Sequence, residues 1–145
     1  MKKILIPVDG SSYSVRAVKK GAEIAKAFDG EVVLLNVIDI KFAVPAQATV
    51  GFSSAFDVLM DKSRQDSKKI LDEAKELLKG AAKDIKTEII EGDSSISIIK
   101  YIENNDIDLV IMGSQGVSGG LKGLLIGSVT NRVLHNTHVP VLVVK

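Results

Sequence analysis

Five short apolar runs alternate along this chain with stretches of helical spacing, and this alternation constrains the fold more than any other feature. The runs cover residues 3–8, 31–37, 86–90, 108–112 and 139–144. Most lack the polar alternation of a half-exposed strand, so they suit strands buried on both faces of a parallel sheet. The run at 86–90 is weaker and reads as an edge. Pro7 falls at the end of the first run, where a missing N–H is tolerated. Ser11 or Ser12 can cap a helix reaching about Phe28, with Val15, Val18, Ala22 and Ala25 on one face, and Asp29-Gly30 stops it. Phe56, Leu59, Met60, Ile70, Leu71, Ala74, Leu77 and Leu78 recur at helical spacing, and Gly80 marks that helix's end. Asp93, Ser94 or Ser95 caps a helix with Ile96, Ile98, Ile99 and Ile102, ended by Asn104-Asn105. Gly127-Ser128 opens a last one to about Asn136. Residues 39–54 carry few charges and read as a long loop, the kind that often serves as a lid or contact surface. The order β-α-β-α-β-α-β-loop-α-β predicts a doubly wound three-layer α/β sandwich around a five-stranded parallel sheet. With 145 residues and no repeat or linker, one domain over 1–145 is expected.

Composition narrows the function by exclusion. Lys+Arg is 19 and Asp+Glu 18, a net charge of +1, which argues against non-specific nucleic-acid or membrane-surface binding. The absence of Cys removes disulfides, thiolate metal sites and a Cys nucleophile together. Aromatics at 4%, with no Trp, disfavour base-stacking platforms. No long apolar span and no signal-peptide pattern are present, so a cytoplasmic location is expected.

The glycines are unevenly placed. Of 12, six lie between Gly113 and Gly127, and no acidic residue follows Asp108. Glycines allow close backbone approach to a ligand, and successive N–H groups can form an anion-binding concavity. The segment leads into Gly127-Ser128-Val129-Thr130 at a helix N-terminus, where orphan N–H groups and the macrodipole favour phosphate. Ser128 either caps that helix or contacts the anion. A flexible surface loop with a helix cap is the plain alternative. Ligands of open α/β sheets bind beyond the strands' carboxyl ends, which also draws in Pro7-Val8-Asp9 after the first strand. No two glycines are spaced i, i+2, and no GxxxxGK[ST] occurs, so neither the dinucleotide fingerprint nor the Walker loop is present. Gly116-Val117-Ser118-Gly119-Gly120 matches the letters GxSxG, yet Ser118 lies well beyond its strand and no acid follows it, which disfavours a serine hydrolase.

Together these residues resemble the universal stress protein family, in its ATP-binding subclass. The likeness runs from Ile4-Leu5-Ile6-Pro7-Val8-Asp9-Gly10-Ser11 through Leu35-Asn36-Val37 and Glu91-Gly92-Asp93 to Asp108-Leu109-Val110-Ile111-Met112-Gly113-Ser114. It ends on Gly127-Ser128-Val129-Thr130 and the run at 139–144. The family's nucleotide motif is G-x2-G-x9-G-[ST]. Gly113, Gly116 and Gly127-Ser128 fit it, with ten residues in place of nine between Gly116 and Gly127. The Gly119-Gly120 pair can absorb the extra residue in a bulge. The resemblance implies strand order 3-2-1-4-5 and bound ATP, with Mg or Mn carried on its phosphates. It implies that Val37 backbone meets the adenine edge, that Pro7 and Val8 flank the base, and that Asp9 lies near the ribose or a phosphate-bridging metal. Gly113 and Gly116 would approach the ribose and phosphates, and Met112 and Ser114 would also belong to the nucleotide site. Gly127, Ser128, Val129 and Thr130 would hold the phosphate chain by N–H groups and hydroxyls. A turn or capping role is the alternative for Asp9. Gln115 and Ser118 are weaker site candidates, with a solvent-facing position as the alternative.

His135 and His138 could offer two metal ligands at helical spacing, without an evident third. Arg132 could reach an anion, though it reads more readily as a surface residue one turn into the helix. The last strand is apolar on both faces and is expected at a sheet edge, where it invites pairing. The family commonly dimerises through it, so a homodimer is expected. The leading expectation is an ATP-binding stress-response switch without efficient hydrolysis, since no general base and arginine finger occur together. A nucleotide-free dimeric interaction protein of the same family is the alternative, and a nucleotidyl-transfer enzyme ranks last.

Overall fold

The computed structural model describes residues 2–43, 52–117 and 126–145. In chain order the elements are β1 (Lys3–Pro7), α1 (Ser12–Phe28), β2 (Glu31–Asp39), α2 (Ile40–Ala43), α3 (Phe52–Leu78), β3 (Asp84–Gly92), α4 (Ser94–Asn104), β4 (Leu109–Gly113), α5 (Ser128–Asn136) and β5 (Val141–Val144). The strands form one parallel sheet in the order β3-β2-β1-β4-β5, as the resemblance implies.

Period-2 burial explains the layers. Ile4, Ile6, Val32, Leu34 and Ile111 point to one face, where they meet Ala17, Val18 and Ala25 of α1 and Leu71, Ala74 and Leu78 of α3. Leu5, Val33, Leu35, Val110 and Met112 point to the other, against Ile98, Tyr101 and Ile102 of α4 and Val133 of α5. Both faces are therefore covered, and the continuous apolar runs are the sequence record of that double burial.

Local chemistry sets the helix ends. Ser11 caps α1, its Oγ accepting from the Ser14 N–H at 3.1 Å, and Asp29 closes it in the left-handed region (φ 51). Asp93 caps α4, accepting from the Ile96 N–H at 3.0 Å. Gly127 caps α5 and supplies no side-chain hydrogen bond, so Ser128 is the first helical residue and not the cap.

Two expectations are corrected here. The second strand runs two residues beyond Val37, because β3 pairs with it all the way to Asp39↔Gly92. The stretch at 39–54 is not one loop: α2 opens directly from β2, and α3 begins at Phe52. Its centre, with Pro45 and Gly51, lies outside the described residues, as do Ser118, Gly119, Gly120 and Lys122. Helix α3 begins four residues before Phe56, the first residue of its apolar spacing.

The sheet's geometry makes the site. β1 and β4 pair only at Ile4↔Leu109 and Leu5↔Val110, then part. Strand order reverses between them, so the crevice opens where a doubly wound fold places a ligand.

Candidate functional site

A cavity of about 320 Å3 occupies that crevice on the α4/α5 side. Its floor is apolar: Leu35 and Val37 from β2, Met112 from β4, Ile98 from α4, with Pro7 and Val8 at the end of β1. Its rim is polar: Asp9, Gln115, Gly116, Gly127, Ser128 and Thr130. An apolar slot with a few convergent polar groups is the usual form of a small-molecule site.

Asp9 ties the two sides of the crevice together. Its Oδ1 accepts from the Ser11 N–H at 2.9 Å, and its Oδ2 accepts from the Val117 N–H at 3.0 Å. Gly116 packs against it so closely that a Cβ there would stand 3.0 Å from Asp9 Oδ2. Gly116 and Val117 are thus held at the end of β1 by one carboxylate.

The start of α5 offers donors. The N–H groups of Ser128, Val129 and Thr130 belong to the first turn, whose amides lack an intrahelical acceptor, and Gly127 has no side chain to cap them. The first helical bond is Asn131 N–H to the Gly127 carbonyl at 2.9 Å. Two groups expected at phosphate are committed within the protein. The Gly127 N–H donates to the Ser114 carbonyl at 2.6 Å, and the Thr130 hydroxyl donates to the Gly113 carbonyl at 2.8 Å. These bonds fix where the helix begins relative to β4.

Most of the residues picked out from sequence meet at this cavity: Pro7, Val8, Asp9, Val37, Met112, Gly113, Gly116, Gly127, Ser128, Val129 and Thr130 all line it. Ser114 does not. It is buried behind the wall, its N–H donating to the Val144 carbonyl at 2.7 Å. Gln115, a weaker candidate with solvent as its alternative, is buried and lines the cavity. Ser14, Leu35, Ser94 and Ile98 also line it and were not anticipated. Leu35 was within reach of the sequence, since it shares a strand face with Val37. Nothing in the sequence marks Ser94 beyond its place at a helix start.

The histidines form no metal pair. A ring nitrogen of His135 contacts the Asn131 carbonyl at 2.8 Å, and His138 lies past the end of α5. Among the described residues no group of three His, Asp or Glu side chains could hold a metal. Asp9 is the one carboxylate lining the cavity among the described residues, and both its oxygens already accept N–H bonds.

A wider groove of about 820 Å3 continues outward, sharing Asp9, Val37, Ser94, Gly116, Ser128 and Val129. On its rim Lys41 pairs with Asp93 at 2.5 Å, and Ser94 Oγ donates to Asp39 at 3.2 Å. Lys41 first, then the Ile96 N–H and the Ser95 hydroxyl, hold the Asp93 carboxyl well below the usual carboxylate range. Asp93→Ala is expected to lose about 1 kcal/mol, mostly the helix cap, since an exposed ion pair adds little. A depressed folded-state pKa stabilises above the unfolded value and is lost as pH falls through the folded one. The gap between wild type and Asp93→Ala in urea unfolding should therefore be full above pH ~4 and shrink in stronger acid. A gap that widens on acidification would contradict this.

A cavity at the switch point, apolar at its floor and rich in amide donors at its rim, defines a doubly wound α/β protein built to take a small ligand. The sequence model of the universal stress protein family matches residues 1–145. Universal stress protein MJ0531 of Methanocaldococcus jannaschii is 38% identical over 99% of this chain and 82% of its own length. The solved structure of MJ0577 from the same organism is 33% identical, covers 99% of this chain and 95% of its own, and superposes with a TM-score of 0.87. A universal stress protein solved in complex with cAMP shares the fold at 23% identity, with a TM-score of 0.72 over 99% of this chain and 95% of its own. The chain belongs to the universal stress protein family. Among the described residues no helix is long and apolar enough to cross a membrane.

Proposed function

We propose that this chain binds an adenine nucleotide in the switch-point cavity, with ATP as the working ligand and Mg or Mn carried on its phosphates. Binding then acts as a switch in the stress response. One observation carries the reading: the cavity joins an apolar slot to the uncapped start of α5 and the Gly116 wall. The base lies over Leu35, Ile98 and Met112. Its edge meets the backbone of Val37, which has no β1 neighbour because β1 pairs no further than Pro7↔Leu35. The phosphates meet the N–H groups of Ser128, Val129 and Thr130, where the helix macrodipole favours negative charge. The cAMP complex of the solved relative supports a nucleotide site on this fold. Extraction of the purified protein, followed by mass spectrometry, should yield a bound adenine nucleotide. Protein free of nucleotide that also fails to take up ATP with Mg2+ favours the nucleotide-free interaction protein, the reading to which the longer Gly116–Gly127 spacing points.

We further propose a homodimer through β5. The two sheet edges differ: β3 carries Asp84, Lys86, Glu88 and Glu91, whereas Val141–Val144 is uncharged and half-exposed throughout. Charged edges resist strand addition and apolar edges invite it. Sedimentation at micromolar concentration should return a dimer, and a monodisperse monomer would overturn this.

A further inference from the structure

Residues 35 and 37 of β2 face the cavity, but residue 36 points to the opposite layer. There Asn36 is buried, and its neighbour is Ser67 of α3, buried as well. Ser67 Oγ donates to Asn36 Oδ1 at 2.6 Å, and Asn36 Nδ2 donates to the Val8 carbonyl at 2.7 Å. The Val8 N–H still follows the ladder, donating to the Leu35 carbonyl at 2.8 Å. Beyond it the chain leaves the sheet toward Asp9. The buried Val8 carbonyl sits just past the last β1–β2 register pair, Pro7↔Leu35. A carbonyl buried there without a donor would cost the full desolvation of the group.

We infer that Asn36 and Ser67 are positioning residues for the cavity: by holding the Val8 carbonyl they set the direction in which Asp9 leaves β1. The inference rests on the nucleotide reading above and assigns that site a support from the far face of the sheet. The consequence runs through Asp9. Its Oδ2 reaches the Val117 N–H only if the Val8–Asp9 corner is held, so α3 governs how firmly Gly116-Val117 is held against Asp9 at the crevice. Ser67 and Asn36 do not line the cavity itself, although both line the wider groove that continues outward from it.

Asn36→Asp keeps the shape and the Ser67 bond but sets a carboxylate oxygen against the Val8 carbonyl. Ser67→Ala removes one hydroxyl, and Ser67→Thr restores it. Hydrogen exchange at the Val117 amide reads the corner directly, without nucleotide. Exchange should speed up about tenfold or more in Asn36→Asp, less in Ser67→Ala, and remain slow in Ser67→Thr. ATP affinity by calorimetry should fall about tenfold in Asn36→Asp. In an Asp9→Ala background the same substitution should add no further loss, because the group it positions is gone. Wild-type exchange at Val117 in both Asn36→Asp and Ser67→Ala would overturn the inference. So would equal affinity losses with and without Asp9, the mark of a merely structural role. If Asn36→Asp does not fold, Ser67→Ala and Ser67→Thr decide by the same two readings. A wild-type protein that binds no ATP overturns the nucleotide reading alone, since Val117 exchange still decides the positioning.

Discussion

Gly116→Val is expected to abolish nucleotide binding while leaving the fold standing. The backbone of Gly116 is not in the left-handed region, so a side chain is tolerated locally. Its Cβ would meet one group, Asp9 Oδ2 at 3.0 Å, and a valine's two methyls would extend from there. The Asp9–Val117 bond would open, and the wall of the cavity would gain bulk where a ribose and phosphate must lie against bare backbone. Loss of at least about a hundredfold in ATP affinity follows, roughly 2.7 kcal/mol. Unfolding stability should change by less than about 1 kcal/mol, as for a partly exposed site away from the core. Unchanged affinity in this variant would refute the assigned pose. Gly116→Ala should give a smaller loss in the same direction.

Gly113 is a different case, and there the expected effect is on the fold. It is the last residue of β4 and buried, and a Cβ would stand 2.7 Å from Tyr13 Cβ and 2.8 Å from the Tyr13 carbonyl carbon. These atoms cannot swing aside as a side-chain tip can. Tyr13 is held in the first turn of α1, with the Arg16 guanidinium 4.6 Å over its ring and Arg16 Nε on the Lys145 carbonyl at 3.0 Å. Helix α1 would have to lift from the sheet. Overpacking a closed site of this kind costs about 3 kcal/mol. The melting temperature should drop by roughly 10 °C. Because the clash belongs to Cβ itself, Gly113→Ala should lose most of what Gly113→Val loses. An alanine variant as stable as wild type in urea would show that the β4–α1 approach is looser than described. The two glycines of one motif therefore act differently: one keeps the cavity open, the other lets strand and helix meet.

Much of this architecture is legible in the residues. The runs around Ile4-Leu5-Ile6 and Val32-Val33-Leu34-Leu35 are apolar at every position, which only a sheet covered on both faces requires. Ser11 and Asp93 announce their helices by cap chemistry, and the glycine count leads to the crevice. What stayed hidden depends on where other elements come to rest. Gln115 looks like a solvent residue in a glycine-rich loop, yet the Gly127–Ser114 bond folds the chain back over it. Thr130 reads as a phosphate hydroxyl, yet it donates its hydrogen bond to the nearby Gly113 carbonyl. Asn36 looks like a polar lapse in a strand, and its use appears only once Ser67, far along in sequence, is brought beside it. Helix α2 carries no periodic signal in four residues. In each case a tertiary partner, not local propensity, decides the outcome.

The central claim is that the uncapped start of α5 and the apolar slot beneath it form one adenine-nucleotide site. Calorimetric titration of nucleotide-free protein with ATP and Mg2+ tests it most directly. One ATP per chain should bind with micromolar or tighter affinity, and the heat should vanish in Gly116→Val. No heat from the wild-type protein, folded and stripped of nucleotide, would contradict the account.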